Sequence, residues 1–352
     1  MRIIVTGNMG YVGPVVIRHL RRRWPEAELI GFDSGFFSHC LSSKGRLPET
    51  LLTAQYMGDV REFPPALLAG ADAVVHLAAI SNDPMGNRFE TVTHEINTAA
   101  SLRLARLACD CGVRHFVFAS SCSVYGFAEG RSRREGDPLN PLTAYASSKI
   151  ATEQGLQALA NGPMTISCLR FATACGMSDR LRLDLVLNDF AACAASSGEI
   201  SILSDGTPWR PLIDVADMAR AIEWAITRQP HQGGRLLSVN VGSNGWNYQV
   251  RDLAQAVAAA FPGAVVRVNP NAQPDRRSYS VDFSLFAQLA PDHQPQVDLA
   301  HSVHRLRSGL AEINFRDADF KSSNMIRLNV LSRMVEQEQL SSDLRWREQA
   351  AT

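Results

Sequence analysis

The side chains here with the most chemistry to offer are Ser121, Tyr145 and Lys149. A tyrosine and a lysine four residues apart on a helix share one face, one turn above the other. A phenol with a pKa near ~10 is a feeble base at neutral pH, and a neighbouring ammonium group favours its phenolate. Ser121 follows the apolar strand His115-Phe116-Val117-Phe118-Ala119, and its hydroxyl can bond a substrate oxygen while a proton passes to or from Tyr145. Such a set suits removal of a proton from a hydroxyl group as hydride leaves the same carbon. Taken singly, a Tyr-x-x-x-Lys pair is ordinarily an exposed helical pair and a serine at a strand end ordinarily satisfies backbone. The elements around them decide.

Those elements alternate, strand then helix, from the first residue, which is the pattern of a doubly wound parallel sheet. Met1 to Val5 reads as a buried strand, and Tyr11 to Trp24 carries Val12, Val15, Val16 and Leu20 at helical spacing. Between them stands Gly7-x-x-Gly10-x-x-Gly13, preceded by Thr6. Gly7 serves a turn that a side chain would block, Gly10 a close approach to pyrophosphate, and Gly13 close packing of the helix. The backbone N–H groups of this turn, Tyr11 and Val12 included, sit at the positive end of the helix dipole. Pro14 falls in the first turn, where its missing N–H leaves no bond unmade. Asp33 closes the second strand, Glu28 to Phe32, where a carboxylate accepts both hydroxyls of an adenosine ribose and repels a 2′-phosphate. This favours NAD over NADP. Asp59 and Val60 follow a third strand, Gln55 to Gly58, with Asp59 placed to reach an adenine amino group. The fourth, Ala73 to Leu77, runs into Leu77, Ala78 and Ala79, small residues that let a dinucleotide lie against backbone. Asn97 lies inside a long helix predicted over Arg88 to Cys111. Further on, the pattern predicts a helix from near Leu142, a sixth strand over Met164 to Arg170, a helix over Leu181 to Ser197, a strand over Ile200 to Leu203, a helix over Val215 to Ile226 and a strand over Leu236 to Val241.

With 35 basic and 35 acidic residues the formal charge is zero, which argues against a nucleic-acid or membrane-surface footprint. No apolar run reaches the length of a membrane span, and no cleavable leader precedes the first strand, so a cytoplasmic protein is expected. Seven cysteines without a Cys-x-x-Cys pair point to free thiols and no metal.

As a set, these motifs resemble the extended short-chain dehydrogenases/reductases, the nucleotide-sugar epimerase and dehydratase group. The likeness runs from Met1 to about residue 285 and includes Thr6-Gly7-x-x-Gly10-x-x-Gly13, Asp33, Gly58-Asp59-Val60, His76-Leu77-Ala78-Ala79, Val124-Tyr125-Gly126, Tyr145-x-x-x-Lys149 and Trp209-Arg210-Pro211. The resemblance implies a Rossmann domain with bound NAD, Tyr145 as acid/base, Lys149 also on the nicotinamide ribose, and Ser121 as hydroxyl partner. It implies a nucleoside-diphosphate sugar as substrate and a homodimer. Dehydratases of the group carry an Asp-Glu pair directly after the Ser/Thr partner; here Cys122 and Ser123 stand there. A 4-epimerase needs only the three groups already named.

The expected organisation is an NAD-binding domain over 1–170, with 211–241 returning to it. A smaller interleaved C-terminal substrate lobe takes 171–210 and 242–340, and 341–352 forms a loosely held tail. Ser81, Asn82, Asp83 and Ser123 are expected to face the sugar. Thr173 stands where the group commonly has an amide, Asn188 lies in the Leu185 to Phe190 segment expected to meet the base, and Arg210 with Arg276 or Arg277 suits the diphosphate. The alternatives are an NAD(P)H-dependent 4-ketoreductase or dehydrogenase using the same residues, and a dinucleotide-binding sensor or scaffold without catalysis.

Overall fold

The computed structural model describes residues 1–128, 130–268 and 278–347. Its strands are β1 (Arg2–Thr6), β2 (Glu28–Asp33), β3 (Ala54–Met57), β4 (Ala73–His76), β5 (His115–Ser121), β6 (Thr165–Phe171), β7 (Thr173–Cys175), β8 (Glu199–Ile202), β9 (Trp209–Asp214), β10 (Leu236–Val241), β11 (Asn247–Gln249) and β12 (Val265–Val268). Its α-helices are α1 (Gly13–Arg23), α2 (Asp83–Arg88), α3 (Glu90–His94), α4 (Ser101–Asp110), α5 (Ala144–Leu156), α6 (Val186–Ser196), α7 (Val215–Thr227), α8 (Val250–Ala260), α9 (Ser284–Leu289), α10 (Leu299–Glu312) and α11 (Arg327–Glu336).

Strands that are apolar on both faces need cover on both, and parallel pairing with helical crossovers supplies it. Seven strands pair in the order β10-β6-β5-β4-β1-β2-β3, every pair parallel. Alternate residues feed two separate cores: Ile3 and Val5 of β1 join Val16 and Leu20 of α1 and Ile222 of α7, while Ile4 joins Leu104 of α4 and Leu156 of α5. The strand order reverses between β1 and β4, which opens a crevice at their carboxyl ends. The expected doubly wound sheet is therefore present.

The helix predicted from Leu181 begins only at Val186, and three larger expectations changed. The long helix over Arg88 to Cys111 is interrupted: α3 passes into a π-helical stretch, Glu95–Ala100, before α4 begins. Asn97 sits in that wider turn and holds Ile80 through both backbone groups, accepting from its N–H at 2.8 Å and donating to its carbonyl at 2.9 Å. The return of 211–241 to the large sheet is made by α7 and β10; β9 pairs instead with β7 and β11 in a three-stranded sheet of its own. The polar stretch from Leu340 is not loose as far as it is described, because Leu340 and Leu344 are fully buried in the same core as Leu331 of α11. Two leucines in a polar string give little periodic signal, yet they are enough to anchor it.

Among the described residues no helix is long and apolar enough to cross a membrane, and no cluster of His, Cys, Asp or Glu could hold a metal ion.

Candidate active site

The carboxyl ends of the central strands frame a cavity of ≈ 820 Å³ that reaches from the glycine turn to the small lobe. Gly7 has φ 72°, and a Cβ there would lie 2.4 Å from the Ala78 nitrogen. A Cβ on Gly13 would meet the Asn8 carbonyl at 2.1 Å, so Gly13 is spent inside the turn and does not line the cavity. Gly10 differs: a Cβ there would have only the Gly7 oxygen, at 3.2 Å, within reach. Its open side, with Val12 and the start of α1, is the cradle a pyrophosphate needs. Tyr11 lines the same wall, but its phenol turns toward the small lobe, donating to the Gly176 carbonyl at 2.6 Å and accepting from the Asn188 amide at 3.0 Å.

Asp33 accepts the Met9 N–H at 2.9 Å and the Gly35 N–H at 2.8 Å. Burial raises its pKa and these two bonds lower it; its remaining lone pairs suit a ribose diol. Asp59 and Val60 line the cavity nearby, but the Asp59 carboxylate is already gripped by Arg61, whose Nη2 lies 2.6 Å away. Leu77, Ala78 and Ala79 form a stretch of cavity wall. Asn97 is buried behind that wall and joins Ile80 to Ser148 of α5, so it positions the wall without reaching the cavity. His76 bonds Thr6 Oγ1 at 2.6 Å and Ser101 Oγ at 2.7 Å; burial, with Lys149 nearby, drives its pKa down to about 3, so the ring stays neutral.

Helix α5 presents Tyr145 and Lys149. Thr143 caps its N-terminus, accepting the Ala146 N–H at 3.2 Å and donating to Asp83 at 2.7 Å, which ties the turn carrying Tyr145 to the first residue of α2. Ser121 and Tyr145 line the same wall of the cavity, and Lys149 Nζ lies 5.5 Å from the tyrosine ring centroid while donating to the Ala119 carbonyl at 2.7 Å. Burial pushes the phenol up to about 12, with the Ser121 hydroxyl acting to lower it, and pushes the Lys149 ammonium down to about 7, with Glu153 acting to raise it. Both shifts disfavour the charged form, so the phenol keeps its proton until a further positive charge lies beside it. Cys122 is fully buried, with its thiol donating to the Arg170 carbonyl at 3.1 Å and its pKa pushed up by burial.

Ser81, Asn82, Asp83, Ser123, Thr173 and Arg210 all line the cavity, and Ser123 Oγ is buried with no hydrogen-bond partner. Asn188 does not line it: fully buried, it holds the Gly176 N–H, the Tyr11 phenol and the Arg182 carbonyl. Arg276 and Arg277 lie outside the described residues. Sequence reading missed Arg182 and Asp184, which also line the cavity. Arg182 binds Asp184 through Nε at 2.9 Å and Nη2 at 2.8 Å, and reaches Ser81 Oγ at 3.0 Å; Asn82 donates to Asp184 at 2.5 Å. The run Arg180-x-Arg182-x-Asp184 ahead of α6 was visible, but not its partners in the loop after β4.

The sequence model of the NAD dependent epimerase/dehydratase family matches residues 3–242. A UDP-glucose 4-epimerase of Streptomyces lividans is 29% identical over 274 residues, covering 73% of this chain and 80% of its own. A dTDP-glucose 4,6-dehydratase of Streptomyces griseus is 29% identical over 313 residues, covering 86% and 91%. A solved UDP-glucose-4-epimerase from Stenotrophomonas maltophila, with bound NAD and formylated UDP-arabinopyranose, superimposes with a TM-score of 0.76 at 23% identity, covering 89% of this chain and 99% of that one.

Proposed function

Because this chain belongs to the NAD dependent epimerase/dehydratase family, we propose that it is an NAD-dependent epimerase of a nucleoside-diphosphate sugar, acting at carbon 4. The observation that carries the choice of epimerase is that Ser121, Tyr145 and Lys149 line one cavity while the next side chain after Ser121, Cys122, is sealed away on a backbone carbonyl. Proton transfer is thus provided for at one oxygen, whereas elimination of water also needs an acid and a base at a neighbouring carbon, and a buried high-pKa thiol is neither.

The chemistry NAD would supply when bound is that of a reversible hydride acceptor carrying a positive charge in its oxidised form. Tyr145 accepts the proton of the sugar hydroxyl and later returns it. Ser121 holds that oxygen throughout, and Lys149, fixed by the Ala119 carbonyl, favours the phenolate. Gly10 and the head of α1 receive the pyrophosphate, Asp33 the adenosine ribose, and the wall of Leu77 to Ala79 lies along the dinucleotide. On the substrate side Ser81, Asn82, Asp83, Ser123 and Thr173 face the sugar and Arg210 the diphosphate. Residues 1–170 with α7 and β10 hold the cofactor, and the remainder holds the sugar nucleotide.

The test is to read the purified protein's absorbance for bound NAD and incubate it with UDP-, GDP-, CDP- and dTDP-sugars without added cofactor. Inversion at carbon 4 with no net cofactor turnover is the expected result. Obligatory consumption of added NADPH would make it a ketoreductase, and release of water from the sugar a dehydratase.

A further inference from the structure

Residues 34–47, which follow β2, contain no helix or strand, yet Ser34, Phe36 and Phe37 of this stretch line the cavity beside Asp33. An irregular segment holds one shape only when something else fixes it. Its later half is held by the stretch ahead of α6, where Arg180 donates to the Ser38 carbonyl and Ser42 bonds Ser178, Asp179 and Leu181; its first residues, beside Asp33, are held from the far end of the chain. The Trp346 indole N–H donates to the Ser34 carbonyl at 2.7 Å, and its ring lies 5.8 Å from that of Phe36. The same segment fastens the turn after β3. Arg61, which grips Asp59, donates to the Asp343 carbonyl at 2.8 Å and to the Leu344 carbonyl at 3.1 Å, and Arg345 pairs with Glu62. Leu340 and Leu344 are buried in one core with Phe36, Val60 and Phe63. A bridge between Leu340 and Trp346 closes the segment on itself.

Residues 340–347 thus bind, from outside the cavity, both loops that line its adenosine end. We infer that this segment is a strap that preorganises the adenosine end of the NAD site, with Trp346 as a positioning residue that sets how tightly NAD is held. The inference rests on the assignment of Asp33 to the adenosine ribose. Trp346 does not line the cavity, so its effect passes through Ser34 and Phe36. Preorganised loops cost less to order on binding, and the gain appears as affinity.

The experiment titrates NAD into nucleotide-free wild type, Trp346→Ala, Trp346→Phe and Asp33→Ala, and records thermal unfolding with and without NAD. Trp346 is half exposed, so its replacement leaves the cores intact. Trp346→Ala is expected to raise the Kd for NAD about tenfold, with the rise in Tm on adding NAD shrinking to match. Trp346→Phe, which keeps the ring against Phe36, is expected to fall between it and wild type. At saturating NAD kcat should change less than about twofold, because the strap touches no reacting atom. The inference is overturned if Asp33→Ala weakens NAD binding while Trp346→Ala binds as wild type does, including the case where Trp346→Ala lowers only the Tm of the nucleotide-free protein. If Asp33→Ala itself binds NAD normally, the placement of the adenosine end is wrong and the strap falls with it.

Discussion

The two halves of the cavity are made of different material. Where we place the pyrophosphate the surface is bare of large side chains: the Gly10 turn, the head of α1 and the small residues Ala78 and Ala79 after β4. Where we place the sugar it is largely side chains brought from separate segments, with Arg182 and Asp184 ahead of α6 meeting Ser81 and Asn82 after β4. A backbone surface demands the absence of side chains at fixed spacing. A side-chain surface can be assembled in many ways. The first kind of demand leaves a written signature and the second leaves almost none.

The sharpest probe of that division is Tyr145→Phe, since the phenol stands where the halves meet. Turnover should fall about a thousandfold, the scale of a lost acid/base group, while bound NAD measured by absorbance stays at the wild-type level. Loss of NAD together with activity would break the division, because the phenol would then be holding the cofactor.

Arg182→Met tests the substrate side. It leaves Asp184 largely buried without its cation, which costs about 3 kcal/mol in denaturant unfolding, and should weaken binding of the sugar nucleotide without weakening NAD. Arg182→Met combined with Asp184→Leu should recover stability and leave substrate binding weak. An equal loss of NAD affinity would show that the two surfaces are one.

The smallest effect belongs to His76, on the cofactor side. Its folded pKa of about 3 lies below the ordinary 6.5, so as pH falls through 6.5 the unfolded chain takes a proton that the folded chain refuses. The stability it contributes is therefore complete above pH 6.5 and is lost between pH 6.5 and 3. His76→Gln should flatten that acid limb, with the Tm difference between pH 7 and 5 shrinking by about 2–4 °C.

Most of the fold was legible because parallel strands buried on both faces read as short apolar runs between helical periods, as β1, β5 and β6 do. Ser121, Tyr145 and Lys149 were legible for the same reason, being fixed by a strand end and one helical turn. Four features were not. The π-helical stretch at Glu95–Ala100 alters the helical period by a single residue. The place of β9 in its own sheet depends on β7 and β11, three-residue strands too short to show a period. Asn188 reads like any polar residue at a helix start, and only the structure shows it turned onto Tyr11. Leu340 and Leu344 sit in a polar string that reads as unstructured, and their burial depends on partners nearly three hundred residues earlier, such as Val60 and Phe63.

The position of β10 also bears on how the molecule is made. Strand β6 is buried along all seven residues, and its outer edge is closed only by Leu236–Val241. The chain between them passes through β7, α6, β8, β9 and α7. On the ribosome, which makes a chain from its N-terminus, β6 carries a bare row of amide and carbonyl groups until this last strand emerges. Slow translation between residues 172 and 235 would prolong the life of that sticky edge.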